Sequence, residues 1–317
     1  MRRDAPEPVP GGRGVPERPR TARTSVSRDS TINGRHNDGG QPCEKGGDVT
    51  EGSATAGPAR LNTSVAHNAR VWNYWIGGKD NYEVDQQVGE QVAGMFPVIR
   101  EVARADREFL ARAVTFLAAE RGIRQFLDIG TGLPTVENTH EIAQRIAPES
   151  RIVYVDNDPI VLVHARSLLT SAPEGVTDYI DADVRDPDAI VRRAADTLDL
   201  TRPVALMMLG ILNFVLDTGE ARDIVRRLVA ALPSGSALVL THPTYDGDVG
   251  GEGNRAAMEF WNAHATPPIT ARSRTEIAAF LEGLEPVEPG LVPCSQWRAD
   301  PAVVAPVPQF GAVAVKR

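Results

Sequence analysis

Phe126-Leu127-Asp128-Ile129-Gly130-Thr131-Gly132-Leu133-Pro134 is the stretch that decides the fold. It reads as a strand, a glycine turn and the approach to a helix, the layout with which an α/β sheet holds a nucleotide-like ligand. Gly130 and Gly132 let the backbone pass close to a ligand, and Asp128 stands at the carboxyl end of the strand, where such sheets bind. The same spelling fits a tight turn with an incidental Asp, so the neighbouring residues have to decide. Pro134 suits the first turn of a helix that Val136, Ile142 and Ile146 continue at helical spacing.

Next comes Arg151-Ile152-Val153-Tyr154-Val155, a β-branched run with the character of a buried strand, closed by Asp156-Asn157-Asp158. An acid closing the second strand of a βαβ unit is placed to accept hydrogen bonds from a ribose diol. A third strand over 176–180 ends in Asp181-Ala182-Asp183-Val184. A fourth over 203–208 runs into Leu209-Gly210-Ile211-Leu212-Asn213-Phe214. A helix over 221–231 and the turn Pro233-Ser234-Gly235-Ser236 lead to a fifth over 237–240, which ends in Thr241-His242-Pro243-Thr244. Residues 310–315 form a last strand. Near-continuous apolar runs alternating with helices imply a doubly wound α/β fold, a mostly parallel sheet covered on both faces. Each carboxylate at a strand end reads singly as a helix cap or a solvated group. Three together on one rim are less easily dismissed and point to a ligand.

This order resembles the class I S-adenosylmethionine-dependent methyltransferases: Asp-x-Gly-x-Gly, an acid after the second strand, an Asp after the third, and a Pro-Ser-Gly-Ser turn into the fifth. More narrowly, Ala69-Arg70-Val71-Trp72-Asn73-Tyr74-Trp75-Ile76-Gly77-Gly78-Lys79-Asp80-Asn81-Tyr82 is similar to an element of an actinobacterial methyltransferase family formerly known as a domain of unknown function. The glycine turn through Thr135 and Val153-Tyr154-Val155-Asp156-Asn157-Asp158-Pro159 share in that likeness. The resemblance spans residues 61–317. It implies a Rossmann-like fold and S-adenosyl-L-methionine as cofactor, and it supplies no substrate. The family often carries His where this chain has Asn213, so a base implied there is missing.

Under this resemblance Asp128, Gly130 and Gly132 lie along the amino-acid and ribose part of the cofactor. Asp156 takes the ribose hydroxyls, with Asn157 and Asp158 beside the adenosine. Asp183 meets the adenine amino group and Val184 walls the ring, while Leu209 and Asn213 face the transferable methyl. Residues 61–121 form an N-terminal helical cap or lid, and 122–317 the cofactor-binding domain. Within the cap, Val98, Val102, Ala105, Phe109, Ala113, Phe116 and Leu117 fall on one helical face that packs on the sheet. Gly77-Gly78 reads as a hinge or a close approach to ligand; its plain alternative is a helix C-cap with Trp72 and Trp75 in the core. In the functional reading Tyr74, Gly78 and Lys79 approach the methionine end or the acceptor, and Asp80 and Asn81 hold the loop.

For a general base, His242 ends the fifth strand and titrates near neutrality in its ordinary state; a histidine bonded to a loop carbonyl is the competing account. Tyr74 is a second candidate, and Tyr245, Asp246 and His67 are weaker ones. His140 and His164 fall in helices and read as structural. Pro267, Pro268 and a helix over 273–284 are expected to wall the acceptor.

Residues 1–60 are rich in Pro, Gly, Arg, Ser and Thr and nearly free of large apolar side chains, so disorder is expected. An arginine-bearing arm toward RNA or lipid is the functional alternative. Another account is that translation starts at Val49, since Glu44-Lys45-Gly46-Gly47-Asp48 could be encoded by a purine-rich ribosome-binding run ahead of a GTG codon. The formal charge of −8 argues against broad nucleic-acid binding. No apolar run is long enough to span a membrane. Cys43 and Cys294 lie far apart and six histidines lack ligand spacing, giving neither a disulfide framework nor a metal site. A metal-free cytoplasmic protein follows, of open oligomeric state.

Three function classes fit these features. The first is an S-adenosylmethionine-dependent methyltransferase acting on a small molecule or natural product. The second is a non-catalytic S-adenosylmethionine-binding regulatory or partner module. The third, a nicotinamide oxidoreductase, needs a further glycine where Leu133-Pro134-Thr135 stand.

Overall fold

A computed structural model describes residues 63–135, 137–168, 170–246 and 251–317. The expectations for residues 1–60, the Val49 start, Cys43 and Val136 lie outside the described residues. Five parallel strands form the centre: β1 (Gln125–Ile129), β2 (Arg151–Asp156), β3 (Val176–Asp181), β4 (Ala205–Leu209) and β5 (Ala237–Pro243). The short β6 (Glu285–Pro286) and the long β7 (Gln309–Val315) complete the row, β7 running antiparallel between β5 and β6. The order is 3-2-1-4-5-7-6. Chain direction across the sheet reverses between β1 and β4, and that switch point leaves a crevice beyond the strands' carboxyl ends.

Burial on both faces makes these runs continuously apolar. In β1, Phe126 enters one core cluster while Leu127 and Ile129 enter the other, and β2 alternates in the same way with Ile152 and Tyr154 against Val153 and Val155. The first face carries α1 (Asn68–Trp75), α2 (Glu83–Met95), α3 (Ile99–Ala119), α4 (Thr139–Ile146) and, after α5 (Pro159–Leu168), α6 (Pro187–Ala194) and α7 (Thr218–Ala230), also α8 (Gly251–His264). The second face is covered by α6 and α7 through Ile190, Ile224, Val225 and Leu228. No helix among the described residues is long and apolar enough to cross a membrane.

The α3 stripe is buried through Val102, Ala105, Phe109, Ala113, Phe116 and Leu117, while Val98 caps the helix half-buried. Asp106 sits on the same stripe, also buried. Pro134 does not open α4. The helix begins at Thr139, where Asn138 and Glu141 form a reciprocal capping box. Residues 133–135 and 137 are loop, with Leu133 buried and Pro134 facing the crevice.

The helix expected over 273–284 is shorter. It comprises α9 (Arg274–Ala278) and one 3₁₀ turn, Ala279–Leu281. Ile277, Phe280 and Leu281 pack into the second-face core. This segment does not line the crevice, so it forms no acceptor wall.

Candidate active site

A cavity of about 450 Å³ fills the crevice. Its floor is the rim of strand ends. Asp128, Gly130 and Gly132 come from β1 and its turn, Asp156 and Asn157 from the end of β2, Asp183 and Val184 from the loop after β3, and Leu209 and Asn213 from the end of β4 and the 3₁₀ turn that follows it. Its roof is helical, built from α1, α2, α3 and α8.

The turn after β1 needs its glycines for two reasons. Gly130 and Gly132 have φ of 75° and 64°, a region costly for residues with a Cβ. A Cβ on Gly130 would also lie 2.5 Å from the Ile211 side chain, whereas Gly132 faces open space. Asp156 ties this turn down. Its Oδ2 accepts the Gly132 N–H at 3.0 Å and its Oδ1 accepts the Asp158 N–H at 2.9 Å. Burial pushes the Asp156 carboxyl up to about 6 against the pull of those two donors. Asp128 is pushed to about 6 by the same cause; Thr139 Oγ1 donates to its Oδ2 at 2.6 Å, and the Arg107 charge opposes the shift. At the next strand end Asn157 Nδ2 donates to Asp183 Oδ2 at 3.1 Å, linking the tips of β2 and β3.

Asp158 stands apart from the cavity lining. It caps α5 through Ile160 N–H, and its Oδ2 lies 2.9 Å from His67 Nδ1. The expected contact with adenosine is therefore replaced by an anchor between α5 and the segment entering α1.

The Gly77-Gly78 element resolves into two functions. Gly77 N–H donates to Tyr74 O and Gly78 N–H to Asn73 O, and Gly77 has φ of 84°: a Schellman stop for α1. Gly78 gives close approach instead, because a Cβ there would sit 2.3 Å from Asn73 Nδ2. Asn73 is buried and lines the cavity; its Oδ1 receives the Asp80 N–H at 3.0 Å and Asn81 Nδ2 at 2.9 Å. The element thus holds Asn73. Tyr74 and Lys79 do not reach the cavity. The Tyr74 hydroxyl bonds Glu90 beneath the Arg100 guanidinium on the outer side of α1, and Lys79 is exposed.

His242 is likewise displaced from the role expected of it. Its ring is fully buried, with Nε2 2.7 Å from Arg272 Nη1 and Nδ1 2.8 Å from Pro243 O. Burial above all, with the Arg272 charge adding to it, depresses its pKa to about 3. It does not line the cavity, so the place expected of a base is taken instead by a buried contact with Arg272. Arg272 also donates to Leu212 O at 2.9 Å and Val215 O at 2.5 Å, so the pair braces the loop that carries Asn213. Tyr245 and Asp246 bond Glu276 and the Arg274 N–H outside the cavity. His140 is buried in α4 with Nδ1 2.8 Å from the Tyr154 hydroxyl; His164 lies in α5. Pro267 lines the cavity and Pro268 does not.

Several lining residues were not singled out from sequence as part of the site. Trp72 and Trp75 read as core, yet both reach the cavity, joined by Phe96 and Trp261. Asp106, Arg107, Asn254 and Gln309 give that side its polar groups. Asp106 carried a visible signal, a carboxylate on the apolar stripe of α3.

Sequence comparison gives this geometry a family. A model described as S-adenosyl methyltransferase matches residues 54–317. The chain belongs to the S-adenosyl methyltransferase family. A DUF574 family protein from Streptomyces avermitilis MA-4680 is 46% identical, with 81% of this chain and 100% of that one covered at a TM-score of 0.77. A candidate methyltransferase from Thermobifida fusca YX is 36% identical, with 83% and 100% covered at 0.74. No curated protein matches the sequence.

As a member of this family the protein is a methyltransferase with S-adenosylmethionine as its cofactor. The cavity suits that group on its own chemistry. Asp128 and Asp156 are buried carboxylates, suited to offset an ammonium and to accept from a ribose diol respectively, and Gly130 leaves the backbone open where a side chain would intrude. Asn213 Oδ1 is buried with no partner among the described residues, as is the Tyr179 hydroxyl, and both residues line the cavity. Such groups are costly unless a ligand or water meets them.

Proposed function

We propose that this methyltransferase acts on a small molecule, bound in the same cavity as the cofactor. The observation that carries the reading is the division of one continuous cavity into a carboxylate-lined floor and an aromatic roof. On this reading Asp156 receives the ribose hydroxyls, with Asn157 beside them. Asp183 and Val184 hold the adenine, and Asp128, Gly130 and Gly132 follow the methionine part. Leu209 and Asn213 border the methyl, and residues 61–121 act as a cap that closes the cavity through Asn73.

The bound cofactor supplies a methyl already activated on a sulfonium. The chain's own task is to hold the acceptor in line with it and to keep water out. The enclosing helices suit that task for a molecule small enough to lie beneath them, and the net charge of −8 does not favour a nucleic-acid acceptor.

The test is transfer from methyl-labelled S-adenosylmethionine into protein, RNA and small-molecule fractions of one cell extract. Label entering the small-molecule fraction is the expected result. Label confined to protein or RNA would overturn the reading.

A further inference from the structure

The acceptor end of the cavity holds one carboxyl group with an oxygen left over. Asp106 Oδ1 receives Thr241 Oγ1 at 2.6 Å and also Gln309 Nε2. No described residue bonds its Oδ2, although Asp106 is 6% exposed and lines the cavity. Its place relative to the sheet is defined. Thr241 pairs with Leu209 across β5 and β4, so Asp106 lies over the strand end at which Leu209 and Asn213 line the cavity.

The helical side of the same cavity carries an apolar, mostly aromatic lining of Trp72, Trp75, Phe96, Ile99, Met258 and Trp261 beside the polar Arg107, Asn254 and Gln309. Flat rings pack well against such faces. A carboxylate oxygen free to accept, beside an apolar lining, suits a ligand that carries a hydrogen-bond donor on an apolar body. An alkylamine beside a buried carboxylate would be held as an ammonium, with no lone pair to attack. A ring hydroxyl stays neutral and keeps its lone pair.

We propose that the methyl acceptor is a hydroxylated aromatic small molecule and that Asp106 is the general base that takes its proton. The inference rests on the reading of the cavity as a shared donor and acceptor site. The acceptor oxygen forms a new bond to the methyl carbon as the carbon–sulfur bond breaks. That bond's electron pair returns to sulfur, leaving S-adenosylhomocysteine, and the hydroxyl proton passes to Asp106 Oδ2. Burial raises the Asp106 pKa, opposed by the Thr241 and Gln309 bonds and the Arg107 charge, which makes the carboxylate a better proton acceptor than an exposed one.

The experiment uses the full chain with saturating S-adenosylhomocysteine. Phenol, catechol and 2-naphthol are compared with their methyl ethers by saturation-transfer NMR, and the same hydroxyl compounds are assayed for methylation by mass spectrometry. The wild-type chain is expected to bind the hydroxyl compounds at least about fivefold more tightly than the ethers, the worth of one hydrogen bond. Asp106→Asn preserves the oxygen that Thr241 and Gln309 contact. It is expected to erase that preference and to cut transfer by about 100-fold or more, while S-adenosylhomocysteine affinity stays within about twofold.

Equal binding of ethers and hydroxyl compounds by the wild-type chain overturns the proposal, whether or not the variant folds. So does wild-type turnover in Asp106→Asn, or failure of the whole panel to bind. Loss of S-adenosylhomocysteine binding by the wild-type chain would instead bring down the reading of the cavity itself.

Discussion

Asp156 Oδ2 accepts the backbone N–H of Gly132 at 3.0 Å, so the acid that closes β2 also sets the glycine turn after β1. Removing it should act on both. Asp156→Ala is expected to weaken S-adenosylhomocysteine binding by about tenfold or more, the worth of a hydrogen bond to a charged group. Calorimetric titration reads this directly, and an unchanged affinity would refute the assignment.

Asp128 couples the site to pH. Its folded pKa of about 6 lies above the ordinary carboxylate value, so the folded state binds more protons between about pH 4 and 6. Its contribution to stability is therefore fully present at low pH and is lost as pH rises through about 6. Asp128→Asn keeps an oxygen for Thr139. It should raise the free energy of unfolding by about 1–3 kcal/mol at pH 8 and change it little at pH 4. Urea unfolding at the two pH values checks this; an equal shift at both would contradict it.

His242 carries the opposite sign. Its folded pKa of about 3 lies below the ordinary histidine value, so the neutral ring adds stability above about pH 6.5 that is lost as pH falls toward 3. His242→Gln retains an acceptor for Arg272 and should flatten this acid limb of the stability curve. The pH profile of methyl transfer near neutrality should be unaltered. A transfer limb that vanishes in the variant would restore His242 as a base.

Gly78 and Lys79, neighbours in one motif, should separate cleanly. The Cβ of Gly78→Ala would meet Asn73, which is pinned by Asp80 and Asn81. An overpacking cost of about 1–3 kcal/mol and weaker cofactor binding are expected. Lys79→Ala, at an exposed position, should stay within about 0.5 kcal/mol and bind normally. Thermal unfolding and titration of both variants decide; loss of binding in Lys79→Ala alone would return that lysine to the cavity.

The five parallel strands were legible because burial on both faces writes them as apolar runs, with Asp128, Asp156 and Asp183 marking their ends. The start of α4 was not, because it depends on side-chain capping between Asn138 and Glu141 rather than on Pro134. In α1 the motif is visible in the sequence, but the face it turns to the cavity is not. Asn68, Ala69, Trp72, Asn73, Trp75 and Ile76 turn inward at helical spacing, which leaves Tyr74 on the other side. Asp106 was visible as a break in an apolar stripe. Its partners Thr241 and Gln309 lie 135 and 203 residues away, so only the sheet register gives it meaning.

On the proposed function, one cavity holds S-adenosylmethionine along β1, β2 and β3 and opens toward Asp106. A crystal structure of the full chain with S-adenosylhomocysteine tests it most directly. Ribose hydroxyls are expected within about 2.7–3.2 Å of Asp156. Adenine is expected against Val184 with its amino group toward Asp183, and sulfur facing the chamber of Trp72, Trp261 and Asp106. A ligand seated elsewhere, or one whose ribose makes no contact with Asp156, would contradict it.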